Sequence, residues 1–194
     1  MFRSLLSVLV LTLAITAFAE PPVIDNATAR LELARTLRDD GQLAEAATEY
    51  RRLLAADPKQ TGATLELAEI LIWQKQLDEA ARLLAAIPDD QLGADGHRAV
   101  AELAVQQNDF AKAAEHFAKA VALKPDDDRT RFAYAQALTW LKKYDAALEQ
   151  FAILLEHRPD DVQLRRHYAQ VLGWAGKRQA AIEQWRKSLS APGQ

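Results

Sequence analysis

Three of the four tryptophans in this chain sit in one recurring string, Ala-x-x-Leu-x-Trp: Ala68 to Trp73, Ala135 to Trp140 and Ala169 to Trp174. A rigid aromatic with arginine and glutamine nearby is chemistry for binding, because Trp and Arg most often dominate the energy of an interface. Chemistry for catalysis is harder to assemble. There is no cysteine, which excludes disulfides, zinc-thiolate sites and thiol nucleophiles. The histidines His97, His116, His157 and His167 form no i, i+4 pair and no HExxH pattern, so the sequence predicts no metal site. Asp126-Asp127-Asp128 and Asp160-Asp161 lack the alternation and the glycine of a calcium loop. They are predicted to cap helices instead. With no phosphate-binding glycine loop and no nucleophile elbow, the expectation is a binding protein without a cofactor, not an enzyme.

The strings are placed by a longer period. From residue 27 onward the chain divides into copies of 33 or 34 residues: 27–60, 61–93, 94–127, 128–161 and 162–194. The eighth position reads Ala34, Ala68, Ala101, Ala135, Ala169, and the twentieth reads Ala46, Ala80, Ala113, Ala147, Ala181. The twenty-fourth is large and apolar: Tyr50, Leu84, Phe117, Phe151, Trp185. A period of this length predicts stacked helical hairpins rather than a single globular core. In the fourth copy, Tyr134, Ala135 and Leu138 and then Tyr144, Ala147, Phe151 and Leu154 recur at spacings that place each stripe on one helix face. Two helices close to about 8–10 Å only where the facing side chains are small, which gives the alanines a mechanical role. Pro58, Pro125 and Pro159 stop the second helices, since proline lacks an amide hydrogen and disfavours helix just before it. Pro88 comes four residues early, which predicts a second helix ending near Ala86 and a longer, flexible connection from Pro88 to Gly96. Asn26-Ala27-Thr28 matches a glycosylation acceptor, but Asn26 is predicted to cap the first helix.

At about 100° per residue, positions 2, 5, 9, 12 and 13 of each first helix share one arc, opposite the face that meets the hairpin partner. That arc faces a concave groove. The candidate binding residues on it are Leu65, Glu69, Ile72 and Trp73 in the second copy, with Arg98 and Glu102 in the third. The fourth adds Phe132, Gln136 and Trp140, and the fifth Arg166, Gln170 and Trp174. Each indole either looks into open groove or plugs the seam between neighbouring first helices; the sequence leaves both readings standing. An extended or helical peptide would set apolar anchors on these aromatics. A polysaccharide would lay sugar rings on them, with Arg98, Gln136, Arg166 and Gln170 bonding hydroxyls. In the last copy, Ile182, Trp185 and Leu189 are either packed and covered by their polar neighbours or left as an apolar contact for another chain.

The combined pattern resembles the tetratricopeptide repeat family, on Leu33-Ala34, Leu67-Ala68, Val100-Ala101, Tyr134-Ala135 and Tyr168-Ala169, the alanines at position 20 and the prolines. The resemblance implies an all-α, right-handed superhelical solenoid of five hairpins that works as a protein-interaction scaffold. Two departures stand out. The family's aromatic at position 4 is replaced by Arg30, Thr64, His97, Arg131 and Arg165, and the Lys and Asn of the family's carboxylate clamp are missing from positions 5 and 9. The Ala-x-x-Leu-x-Trp string is also similar to repeats of exported tetratricopeptide proteins in bacterial exopolysaccharide secretion.

Residues 1–19 carry one positive charge at Arg3, an apolar stretch from Leu5 to Phe18, and Ala17-Phe18-Ala19 before Glu20-Pro21-Pro22. This is the pattern of a secretory signal peptide, followed by a short linker, 20–26. The stretch falls short of the ~20 apolar residues that span a bilayer; the alternative is an uncleaved anchor. The expected setting is the periplasm of a double-membraned bacterium, with no membrane span after cleavage. The formal charge of −3 gives no electrostatic case for nucleic acid.

Overall fold

The computed structural model describes residues 25–189. Residues 1–24, which hold the segment read as an export signal and most of the linker after it, lie outside the described residues, as do residues 190–194. Among the described residues the chain forms ten α-helices and one 3-10 turn, with no strand. They pair as α1 (Asn26–Asp39) with α2 (Leu43–Ala56), α3 (Thr61–Trp73) with α4 (Leu77–Ala85), and α5 (Gly93–Gln106) with α6 (Phe110–Leu123). The last two pairs are α7 (Asp128–Trp140) with α8 (Tyr144–His157), and α9 (Val162–Trp174) with α10 (Arg178–Leu189). Each hairpin packs on the next through its second helix and the following first helix. No described helix is long and apolar enough to cross a membrane.

The recurring residues explain the hairpin. Nine of the ten alanines at positions 8 and 20 have no exposed surface, and Ala181 has almost none, so the two backbones meet without side chains to hold them apart. Every hairpin turn is built alike. The residue at position 15 has positive φ: Gly41 80°, Lys75 62°, Asn108 60°, Lys142 58° and Gly176 76°. The next amide then reaches back to the carbonyl at position 11, as in Gln42 N to Leu37 O at 2.8 Å and Lys143 N to Leu138 O at 2.9 Å. This six-to-one closure satisfies carbonyls that the helix end leaves open. Three of the five first helices, α1, α7 and α9, start on aspartates. Asp25, Asp127 and Asp161 accept from the backbone N–H of Thr28, Thr130 and Leu164 at 2.7, 3.1 and 2.8 Å. The cap of α1 is therefore Asp25 and not Asn26, which is the first helical residue. Asp25 wins because its side chain reaches the amide three residues on.

Position 4, where the family pattern has an aromatic, carries a polar cross-tie to position 23 of the same hairpin in every hairpin but the second, where Thr64 donates to the Gln60 carbonyl instead. Arg30 Nη1 donates to Glu49 Oε2 at 2.5 Å, Arg131 Nη1 to Gln150 Oε1 at 2.8 Å, and Arg165 Nη1 to Gln184 Oε1 at 3.0 Å. Arg131 also donates to the Pro125 carbonyl at 2.7 Å, and Arg165 to the Pro159 carbonyl. One residue thus ties both helices and the preceding turn. In the third hairpin the tie is His97 to His116, Nδ1 to Nδ1 at 3.1 Å.

The longer connection expected from Pro88 onward follows a helix that ends at Ala85, and it carries structure of its own. Residues Asp89–Gln91 make a 3-10 turn, and Leu92 is buried against the first core cluster. Gly96 makes this possible: a Cβ there would come within 2.8 Å of the Leu92 side chain. At the far end, Trp185 is not core. It is 41% exposed, beside exposed Ile182 and Leu189, because no described hairpin follows α10 to cover it.

Candidate functional site

The first helices α3, α5, α7 and α9 form one wall of a groove. Its floor comes from position 24 of the second helices, where Phe117 and Phe151 are buried. Two clefts follow one another along it. One of about 220 Å³ is lined by Ile72, Trp73, Val105, Gln136 and Trp140 with Glu102. The next, about 180 Å³, is lined by Gln136, Thr139, Trp140, His167, Gln170 and Trp174. Trp140 and Gln136 belong to both, so the row is continuous. A third hollow adjoins through His167 and includes Phe132.

The tryptophans do not plug the seam between first helices. Trp73, Trp140 and Trp174 are 45, 51 and 53% exposed, far too open for a plugged seam. Yet each of the last two has a tilted aromatic beside it, from position 17 of the preceding hairpin. Trp140 lies 4.6 Å from Phe110 and Trp174 6.5 Å from Tyr144, centroid to centroid. The neighbour restrains the indole while about half of its surface stays exposed, and restraint of this kind is the preorganisation that makes an aromatic anchor effective.

The rest of the expected set divides. Gln136, Gln170 and Glu102 line the clefts, and Ile72 does so only as floor, being 2% exposed. Phe132 is half-buried, edge-on to Phe151 and to His167 at 5.7 and 5.3 Å. Leu65, Glu69, Arg98 and Arg166 line neither cleft. Leu65 is half-buried against the first core cluster, and Arg166 is half-buried on α9. Arg98 is engaged outside the clefts, its guanidinium held by Glu69 at 2.6 Å, by Glu102 at 3.2 Å and by Asp95 at 3.4 Å. A residue the arc did not include is His167, at position 6. It stacks on Phe151 at an interplanar angle of 8°. Position 6 lies only about 20° beyond position 13 on the helical wheel, so a slightly wider arc would have found it.

Charge separates the two halves of the wall. Toward the N-terminus it is self-neutralised. Glu66 accepts from Arg35 Nη2 at 2.8 Å, Arg38 Nη1 at 3.1 Å and the Tyr50 hydroxyl at 2.5 Å. Burial pushes the Glu66 carboxyl up, but the hydrogen bonds from Arg35 and Tyr50 and the nearby arginine charges bring it below its ordinary value. Burial pushes Glu69 up, against the pull of Arg98. Toward the C-terminus the cleft is lined by amides, a hydroxyl, an imidazole and indoles.

The repeat signature itself matches a family model. Residues 37–103 and 104–171 both match the tetratricopeptide repeat. The chain belongs to the tetratricopeptide repeat family. No curated protein sequence matches it. Among solved structures, this tetratricopeptide repeat chain is similar to the crystal structure of MamA at 17% identity and a TM-score of 0.73, over 85% of this chain and 91% of that one. It is also similar to YrrB, described as a TPR protein with an unusual peptide-binding site. There the identity is 20% and the TM-score 0.71, over 86% of this chain and 87% of that one. Likeness at these identities establishes the fold.

Proposed function

We propose that this tetratricopeptide repeat protein is a non-catalytic scaffold, exported to the periplasm of a double-membraned bacterium, where it helps assemble an envelope or secretion complex. It binds a peptide segment of a partner protein across the clefts flanked by Trp73, Trp140 and Trp174. The observation that carries the reading is the continuous row of half-exposed indoles, each presented over an apolar floor. Amide side chains at Gln136 and Gln170 suit the backbone of an extended peptide, and the peptide-binding site described for YrrB is a precedent on the same fold. The export half rests on the signal-like pattern of residues 1–19.

The test compares the wild-type chain with Trp140→Ala and Trp174→Ala on a peptide array and on a glycan array, alongside affinity capture from an envelope extract. The expected result is peptide binding and stoichiometric recovery of one partner by the wild type, both reduced at least about tenfold in the variants, as for interface hot spots. Each variant should lose only about 1–2 kcal/mol of stability, since it forfeits one aromatic contact and part of its burial. Glycan binding that disappears in Trp140→Ala would replace the peptide by a secreted polysaccharide. A mature chain that does not begin at Glu20, measured by mass after export, would remove the periplasmic part.

A further inference from the structure

We propose that Asp89, His97 and His116 form a binding site for one divalent transition-metal ion, with zinc the best match. His97 is on α5 and His116 on α6, at the cross-tie positions 4 and 23 that in the first, fourth and fifth hairpins hold Arg with Glu or Gln. Those pairs are complementary, a donor facing an acceptor. Two imidazoles pair only in one tautomer combination: their Nδ1 atoms face each other at 3.1 Å, so one ring must carry its hydrogen there and the other on Nε2, whereas with both hydrogens on Nε2 the same two atoms offer two lone pairs to an ion. The third part of the tie is also replaced. Where Arg131 and Arg165 reach a proline carbonyl of the preceding turn, His97 meets the carboxylate of Asp89, Oδ1 at 4.0 Å. The third hairpin thus carries three ligand-type side chains on the same architecture that in those three hairpins carries a plain hydrogen bond.

The geometry suits a small ion. Zinc–nitrogen bonds of about 2.0–2.1 Å in a tetrahedron set neighbouring nitrogens roughly 3.3 Å apart, close to the spacing already present. One ligand atom from each of the three residues lies within 4.8 Å of the others. Both histidines are buried, whereas the Asp89 side chain is 63% exposed on its 3-10 turn and is free to swing in. It now holds Lys119 at 3.2 Å, a contact it would give up or share. Burial holds both imidazoles below the ordinary histidine range, so they are neutral and able to ligate at neutral pH. A hollow of about 420 Å³ lined by Leu84, Ile87 and Leu92 opens beside Asp89 and His116, leaving room for a water as fourth ligand. A bound ion would fasten the irregular connection after α4 to both helices of the next hairpin, at the one junction where the period slips.

Titration of tag-free, metal-stripped protein with Zn²⁺ by calorimetry should show one ion per chain and a raised melting temperature. Co²⁺ should give the visible absorption of a tetrahedral complex. An outer-shell partner alone changes metal affinity about 10–100-fold, so His116→Gln should weaken binding by at least about 100-fold. Asp89→Asn, an exposed change that cannot unfold the chain, should weaken it by about tenfold or more. His157→Gln is the control, because His157 and Asp128 make a second histidine–aspartate contact at 2.7 Å without a third ligand; it should change nothing. No saturable binding, or binding that survives both His116→Gln and Asp89→Asn, would overturn the site.

Discussion

Glu66 shows how much one side chain settles here. It receives Arg35 and Arg38 from the first hairpin's α1 and Tyr50 from its α2, so a single carboxylate of the second hairpin fastens the whole of the first. With its side chain only 19% exposed, these are charge-assisted bonds in a partly dry setting, worth about 1.5–3 kcal/mol each when broken. Glu66→Gln keeps the shape and removes the charge, and it should cost about 1–3 kcal/mol in urea unfolding at neutral pH. The sign of its pH dependence follows from the lowered carboxyl. The unfolded group titrates near 4.5, so its contribution is present above that pH and is lost as pH falls through the lower folded value. The wild-type advantage over Glu66→Gln should therefore shrink below pH 4.5; an unchanged gap in acid would mean the carboxylate is not what binds the two hairpins. The tryptophans teach the complementary lesson. Their residue type and spacing were legible, but their half-exposed, restrained state was not, because Phe110 and Tyr144 lie 30 residues away in sequence from the indoles they restrain.

At the scale of the element, the hairpin turn is the part the sequence states most unevenly. Glycine at positions 41 and 176 announces a left-handed residue, whereas Lys75, Asn108 and Lys142 adopt the same conformation unannounced. The Schellman-type closure imposes it on all five, whatever residue is present. A non-glycine residue pays about 1–2 kcal/mol for that conformation, while a glycine loosens the unfolded chain by about 0.4–1 kcal/mol. Lys142→Gly should thus stabilise the protein by about 0.5–1 kcal/mol, read as a raised urea midpoint at unchanged slope. A loss of stability would show that Lys142 makes compensating contacts. The irregular connection was legible only as a length. That Leu92 folds back on Gly96 and carries Asp89 to the histidines depends on contacts across three elements.

Over the whole molecule, the buried residues fall into two clusters that meet in α5. Val100 and Leu103 belong to the first cluster, and Ala101 and Ala104 to the second. Burial is densest in α3 and α5, which bury seven residues each, while α1 buries Ala34 alone and α10 only Ala181 and Ser188. In a stack where each hairpin touches only its neighbours, stability is a sum of local terms and openings begin at the ends. Native-state hydrogen exchange should find the amides of α1 and α10 least protected and those of α3 and α5 most. Uniform protection across the ten helices would show instead a single cooperative unit.

The sequence by itself determined the repeat, the hairpins and the alanine faces, because helix period, small-residue spacing and proline stops act within a few turns of chain. It also determined which face carries the indoles. Tertiary structure alone decided that Arg98 is spent on Glu69 and Glu102, that His167 joins the groove wall, and that Asp89, His97 and His116 converge. Those pairings join residues from different helices, at distances that the packing of one hairpin on the next fixes and that no spacing along the chain encodes.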